Sequence, residues 1–301
     1  MNRIQTLDLG FMGQPEAIAA YLVNSSAGPI LIETGPASTL PNLVKELNKH
    51  GVNPEDIKHV FVTHVHLDHA GAAWYFARNG ANVYVHPKGL PHLRNPERLW
   101  SSAKRIYQDK MELLWGEMHP ISGKLLISVP HKKRVKVGNL KIRALHTPGH
   151  ASHHIAWEIN DILFAGDVAG VKVLSGPVMP PCPPPDIDIQ EWRNSIRLIL
   201  DRRYKKLYLT HFGEVDEVKP HLVELRGRLQ NWSNWLHPYF ENGVSREEVL
   251  PKFVSYVDKQ LAAAGVSNQD RKKYELANPS WMSVAGLYRY FKKHMTPISA
   301  E

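Results

Sequence analysis

Residues 63–71 read Thr-His-Val-His-Leu-Asp-His-Ala-Gly, which puts four metal-capable side chains, His64, His66, Asp68 and His69, within six residues. They follow a short apolar run, His59–Val62, that reads as a buried strand, and precede a helical stretch, Gly71–Arg78. At a strand-to-helix turn four such side chains cannot all enter a core. They can converge just outside the strand's carboxyl end, where open α/β sheets place their sites. Imidazole and carboxylate groups at this density point to metal ligation. The competing reading, surface histidines with Asp68 as a helix cap, leaves the density unexplained.

Three later loops repeat the design. Thr147-Pro148-Gly149-His150 follows the strand Leu140–Leu145, Ala165-Gly166-Asp167 follows Ile162–Phe164, and Thr210-His211-Phe212-Gly213 follows Leu207–Leu209. Each is an ionisable residue at a strand end beside a glycine. One such residue would read as a cap or a turn, but the recurrence together with the first cluster points to a shared site.

The chain around these loops alternates strand and helix, an α/β rhythm. Strands are expected at Ile18–Val23, Pro29–Ile32 and Asn82–Val85, and a helix over Leu40–His50 stopped by Gly51. Apolar steps of three and four from Pro96 to Pro120 predict one amphipathic helix of several turns. Further strands follow at Leu125–Val129, Arg134–Val137, His153–Glu158 and Lys206–Thr210, with a helix over Ile189–Leu200. Beyond Gly213 the pattern is helical. One stripe runs Leu222, Leu225, Leu229, Trp232, Leu236, a second runs Val249, Phe253, Val257, Leu261, and a third helix covers Ser280–Phe291. The division expected is a catalytic domain over 1–214, with a helical insertion at about 96–120, and a helical extension over 215–301. Pro177–Pro185 holds six prolines in nine residues and reads as a stiff connector or a rigid loop edging the site.

Composition narrows the chemistry. Cys182 is the one cysteine, so neither an intramolecular disulfide nor a thiolate zinc cluster can form. It sits in the proline run with no evident histidine partner, which argues against a thiol nucleophile. The start, Met1-Asn-Arg-Ile-Gln-Thr, has no apolar run behind its charge, and a cytoplasmic location without a membrane span is expected. Net charge is +8, but the basic groups at His131–Arg134, Arg202–Lys206 and Arg271–Lys273 are short and scattered, so no nucleic-acid partner is expected.

The pattern His64-x-His66-x-Asp68-His69, then His150, Asp167 and His211, resembles the metallo-β-lactamase fold superfamily over about residues 5–213. Thr147-Pro148-Gly149-His150 with His154 four residues on is most similar to the branch holding glyoxalase II and the lactonases. The resemblance implies an αββα sandwich. It implies that His64, His66 and His150 hold one metal ion, that Asp68, His69 and His211 hold a second, and that Asp167 bridges them. His154 would support the site from behind, with His146 and His153 structural. Two divalent ions per chain, zinc first with iron or manganese as alternatives, would share a bridging hydroxide that attacks the substrate, with Asp68 orienting it. The expected substrate is a small carbonyl ester, thioester or lactone. The alternatives are a phosphodiesterase or nuclease on the same ions, and a sulfur dioxygenase with one iron on His64, His150 and Asp167. A homodimer contact through the added helices is left open.

Two departures from the family stand out. Glu33-Thr34-Gly35 replaces the usual Asp-Thr-Gly, one methylene longer, and Asp167 lies where true β-lactamases tend to carry Cys or Ser. Arg289-x-x-Lys292 has the spacing of the basic pair with which glyoxalase II holds glutathione, a spacing common by chance in a basic helix.

Overall fold

Successive residues of each strand face different cores, and that alternation builds the layers. The computed structural model describes residues 4–294. The leader reading at Met1-Asn-Arg, and the outer ends of the two segments at 1 and 301, lie outside the described residues. In β2 (Ala19–Ser25), Ala19, Tyr21 and Val23 face one core while Ala20 and Leu22 face another. The same switch occurs in β3 (Gly28–Ile32), β4 (His59–Phe61) and β5 (Asn82–Val85), where Ile30, Ile32, Phe61 and Tyr84 point one way and Leu31, Val60 and Val83 the other.

With β1 (Ile4–Asp8) and β6 (Leu126–Ser128) these strands form a six-stranded sheet in the order β1 to β6, antiparallel up to β3 and parallel from β3 to β6. A second six-stranded sheet runs β12 (Gly213–Val215), β11 (Lys206–Leu209), β10 (Ile162–Phe164), β9 (Ile155–Ile159), β8 (Leu140–His146) and β7 (Arg134–Val137). Tyr21, Phe61, Trp157 and Phe164 fill the space between the sheets. Outside the first sheet pack α1 (Leu40–Lys49), α2 (Leu67–Ala70), α3 (Ala73–Arg78), α4 (Leu90–Arg94), α5 (Glu97–Tyr107) and α6 (Met111–Trp115). Outside the second pack α7 (Ile189–Leu200), α8 (Val218–Glu241), α9 (Arg246–Ala263), α10 (Asn268–Ala277) and α11 (Ser280–His294). This is the helix–sheet–sheet–helix sandwich expected. The C-terminal helices share one core with the second sheet: Leu222, Leu225 and Leu229 join Leu163, Leu207 and Ile196 in a single cluster. No helix among the described residues is long and apolar enough to cross a membrane.

The structure corrects the sequence reading in several places; β1 and β12 were not anticipated, and β12 carries the second sheet past Gly213, where a helical pattern was expected. The segment 96–120 is two helices, because Gln108 adopts a positive φ of 50° after α5, and Gly116, at φ 64°, ends α6. The stretch 71–78 belongs to α3 only from Ala73; Gly71 lies between the two short helices, pressed so close to Pro36 that a Cβ there would sit 2.9 Å from its Cα. His153 and His154 lie in a turn, and β9 starts at Ile155. Helix α10 was not anticipated, since Tyr274 is its one fully buried residue and it carries no apolar stripe.

Candidate metal centre

Each ligand-type residue predicted from the sequence projects from the carboxyl end of a strand or the turn that follows it. Residues 63–69 follow β4, His150 follows β8, Asp167 follows β10 and His211 follows β11. The sandwich therefore brings all seven together. His66 Nδ1 lies 2.9 Å from His64 Nε2 and 3.1 Å from His150 Nε2, forming one group. Asp68 Oδ2 lies 3.4 Å from His211 Nε2 and 3.8 Å from His69 Nε2, forming a second. Asp167 stands between them, with Oδ2 3.3 Å from His150 Nε2 and Oδ1 3.3 Å from His69 Nε2 and 3.7 Å from His211 Nε2.

The far sides of the rings are held by the protein. His150 Nδ1 donates to the carbonyl of Pro181 at 2.9 Å, and His211 Nδ1 to that of Ala17 at 2.8 Å. Both tautomers are thereby set with Nε2 free to face the centre. Glu33 is buried at a positive φ of 64°; its carboxylate accepts from the Thr63 hydroxyl and lies 3.3 Å from His69 Nδ1. The longer side chain thus reaches the ligand-bearing loop. Beside His64, 5.0 Å away between ring centres, His154 is fixed by Thr147 Oγ1 at 2.8 Å. His146 stacks on His86 instead, at 4.0 Å. His153 lies 5.7 Å from His66 between ring centres, with a buried Nδ1 that has no hydrogen-bond partner among the described residues.

Buried polar atoms are normally hydrogen-bonded. Two at the centre, His69 Nε2 and Asp167 Oδ1, face each other 3.3 Å apart and have no hydrogen-bond partner among the described residues. Three groups of donors, His64/His66/His150, His64/His69/Asp167 and Asp68/His69/His211, are each compact enough to hold a cation. Nitrogen and carboxylate oxygen without thiolate is a donor set for divalent transition metals. In the metal-free protein, burial and the neighbouring imidazoles push His64 well down and His66 to about 4. Burial also lowers His150, against the pull of Asp167. At His69 and His211 burial pulls the same way, but the carboxylates of Asp167 and Asp68 outweigh it and raise both. Asp68, despite burial, is held at about 2 by His69 and His211.

Over the donors lies a cleft roofed by α5, α6, the proline run and the start of α11. Tyr107, Trp115, Asn278 and Met282 line it, and none of these was predicted. They come from elements far along the chain, and only their apolar stripes hinted that they must be covered by something. Arg289 reaches the carbonyl of Pro185 at 3.3 Å from outside, and neither it nor Lys292 borders the cleft.

Fold and donor set together define a metal-dependent hydrolase. The family profile described as the metallo-beta-lactamase superfamily matches residues 13–211, well over half the chain, and the protein belongs to that superfamily. It is 24% identical over 234 residues to a metallo-beta-lactamase fold-containing protein of Sulfurisphaera tokodaii, a match covering 74% of this chain and 84% of that one. It is 29% identical over 220 residues to an atrochrysone carboxyl ACP thioesterase of Aspergillus chevalieri, covering 71% of this chain but 57% of that longer protein. A crystal structure of a metallo-beta-lactamase family protein from Thermus thermophilus superposes with a TM-score of 0.67 at 19% identity, over 96% of this chain and 93% of that one.

Proposed function

We propose that this chain hydrolyses the acyl bond of a small carbonyl ester, as a thioesterase or lactonase of the glyoxalase II-like branch, with two divalent metal ions, zinc first. The observation that carries this reading is the placement of Asp167, whose two oxygens face the two donor groups from between them. His64, His66 and His150 would hold one ion, Asp68, His69 and His211 the other, with Asp167 shared. Bound there, the ions would supply an activated water at neutral pH and polarise a carbonyl.

The chain's own groups do the rest. The Asp68 side chain is 23% exposed, against 4% or less for Asp167, His69 and His211, so among the donor residues it is the more open acid toward the cleft. Held ionised, it orients water by accepting its hydrogen. The cleft walls, Leu67, Leu99, Ile106 and Pro183 to Pro185, keep bulk water away from an apolar acyl group. A thioester substrate also agrees with the activity named for the Aspergillus relative. A phosphodiesterase would need a basic track to neutralise phosphates. Three of the basic residues near 202–206 are instead paired: Arg202 with Glu158, Lys205 with Asp161, and Lys206 with Asp216 at 3.3 Å.

The test is a metal analysis of the purified protein followed by a screen of thioesters, lactones, esters and phosphodiesters. Two ions per chain and turnover of an acyl ester are expected. Phosphodiester cleavage without acyl turnover in any metal form would overturn the reading, and one iron with oxygen consumption would point to the dioxygenase.

A further inference from the structure

Two chambers open onto the donor cluster, and both reach Asp68. Tyr107 and Met282 line both and touch each other, Oη to Sδ 3.3 Å, so they form the wall the chambers share. The smaller is a half-open recess with room for about 130 Å³ above His66, His150 and Asp167, with Leu99 and Ala103 among its walls. The larger is a half-open recess with room for about 530 Å³ beside His211, between Phe11 and Trp281, and its lining includes Gln108, Asp109, Lys110 and Glu275.

We propose that the chambers sort the two halves of the substrate. The acyl group occupies the smaller and is limited to a short chain or one aromatic ring, while a long amphipathic thiol or alcohol occupies the larger. This rests on the acyl-hydrolase reading above. Position assigns the halves. The smaller chamber alone touches both donor groups and Asp167 between them, so the carbonyl under attack lies at its floor. The larger touches Asp68 and His211 only, so an atom departing that way leaves the attacked carbon behind. Size limits the acyl part, because an apolar cavity of roughly 150 Å³ takes a benzene molecule and little more. Lining chemistry selects the other half: charged and amide side chains suit a leaving group with its own polar atoms. In the reaction the bond from acyl carbon to sulfur or oxygen breaks and a water oxygen bonds to that carbon. One water proton ends on the leaving atom, and the other is released as the carboxylate forms.

The experiment uses thioesters of N-acetylcysteamine carrying acetyl, butyryl, benzoyl and naphthoyl groups, and benzoyl thioesters of progressively longer thiols. A fall in kcat/KM of at least tenfold from benzoyl to naphthoyl is expected, with no loss as the thiol lengthens. Ala103→Leu should lower the size limit so that benzoyl is lost and acetyl kept, and Leu99→Ala should raise it to admit naphthoyl. Equal rates for benzoyl and naphthoyl, or variants that change thiol preference instead, would overturn the assignment. Calorimetric binding of benzoate and naphthoate to the metal-loaded protein judges the small chamber without turnover. Tight benzoate binding lost in Ala103→Leu supports it, and equal binding of both carboxylates overturns it. Absence of turnover on every thioester would overturn the acyl-hydrolase reading and the sorting of halves with it, and a surviving preference for benzoate would then show only the size limit of the small chamber.

Discussion

The carbonyl of Pro181 accepts a 2.9 Å hydrogen bond from His150 Nδ1, so a proline run fixes the ring of a candidate ligand. That run is in turn held by the C-terminal helices. Tyr274 Oη donates to the carbonyl of Pro177 at 2.7 Å, Asn278 Nδ2 to that of Pro180 at 3.2 Å, and Gly286 packs so tightly on the Cys182 carbonyl that a Cβ would collide with it. Helices that look like an appendage in the sequence therefore bear on the geometry of the centre.

Tyr274→Phe keeps the ring and removes the hydroxyl that anchors Pro177. It should weaken metal binding by the His64/His66/His150 group several-fold while leaving the other group nearly unchanged. Outer partners of metal ligands commonly contribute 10–100-fold to affinity, and this one acts through an intermediate loop. Competition with a chelator, read for each equivalent of metal, checks it. Equal weakening at both groups would mean a general loss of structure instead.

Asp167→Ala should lower affinity at both groups, because one carboxylate faces each of them. His211→Ala should spare the first group and lose the second ion, since His211 Nε2 neighbours Asp68 and Asp167 but is not part of the His64/His66/His150 group. Elemental analysis after dialysis should read near zero for the first variant and near one per chain for the second.

Metal binding should release protons unequally. His69 and His211 are raised above the ordinary 6.5 in the metal-free protein, so near neutral pH they are protonated to a larger extent than an ordinary imidazole, and a cation must displace those protons. His64, His66 and His150 are lowered and already neutral there. Affinity of the second group should therefore rise with pH, and acidification should strip it first. Calorimetry in buffers of different ionisation enthalpy counts the protons. The same shifts carry a stability signature for the metal-free protein. His66, at about 4 when folded against 6.5 ordinarily, binds more protons unfolded, so stability falls as pH drops from 6.5 toward 4. The raised His69 works in reverse: it stabilises below 6.5 and loses that contribution as pH rises through its folded value.

How far the site was legible depended on sequence distance. The cluster from His64 to His69 could be read directly, because a strand followed at once by four donors has few alternatives. His150, Asp167 and His211 could be read because each repeats the strand-end position that the topology then brings to one edge. The roof could not. Tyr107 and Met282 meet across 175 positions, and nothing local marks either as facing a cleft. The single helix expected over 96–120 failed for a related reason: apolar spacing continues through Gln108, but the turn that lets α6 fold back is a backbone conformation that the spacing does not encode.

Cys182→Ala should retain activity within about tenfold, or ~1.4 kcal/mol of barrier. The thiol is fully buried, burial pushes it far above the ordinary thiol range, and its contact is the Pro180 carbonyl at 3.6 Å. Steady-state kinetics with the best thioester from the screen gives the comparison, and a larger loss would implicate the sulfur.

Glu33 offers the sharpest separation of stability from metal binding. Its carboxylate takes the Thr63 hydroxyl and lies 3.3 Å from His69 Nδ1, in a pocket where both partners are buried. Glu33→Ala would take the carboxylate from both, leaving the hydroxyl with His64 Nδ1 at 3.0 Å and the His69 nitrogen with only a long contact to that hydroxyl, and a buried group left unpaired costs roughly 1–3 kcal/mol. Glu33→Asp restores the residue type usual in the family but withdraws the carboxylate by one methylene, so the contact to His69 lengthens past hydrogen-bond reach. The alanine variant should thus lower the midpoint of thermal unfolding even without metal. The aspartate variant should unfold near the normal temperature and lose about tenfold in affinity at the Asp68/His69/His211 group, the lower end of what outer partners contribute. Thermal melts of metal-free protein beside chelator competition separate the two. If Glu33→Asp binds both ions as tightly as the natural chain, then Glu33 orients the Thr63 loop and not His69.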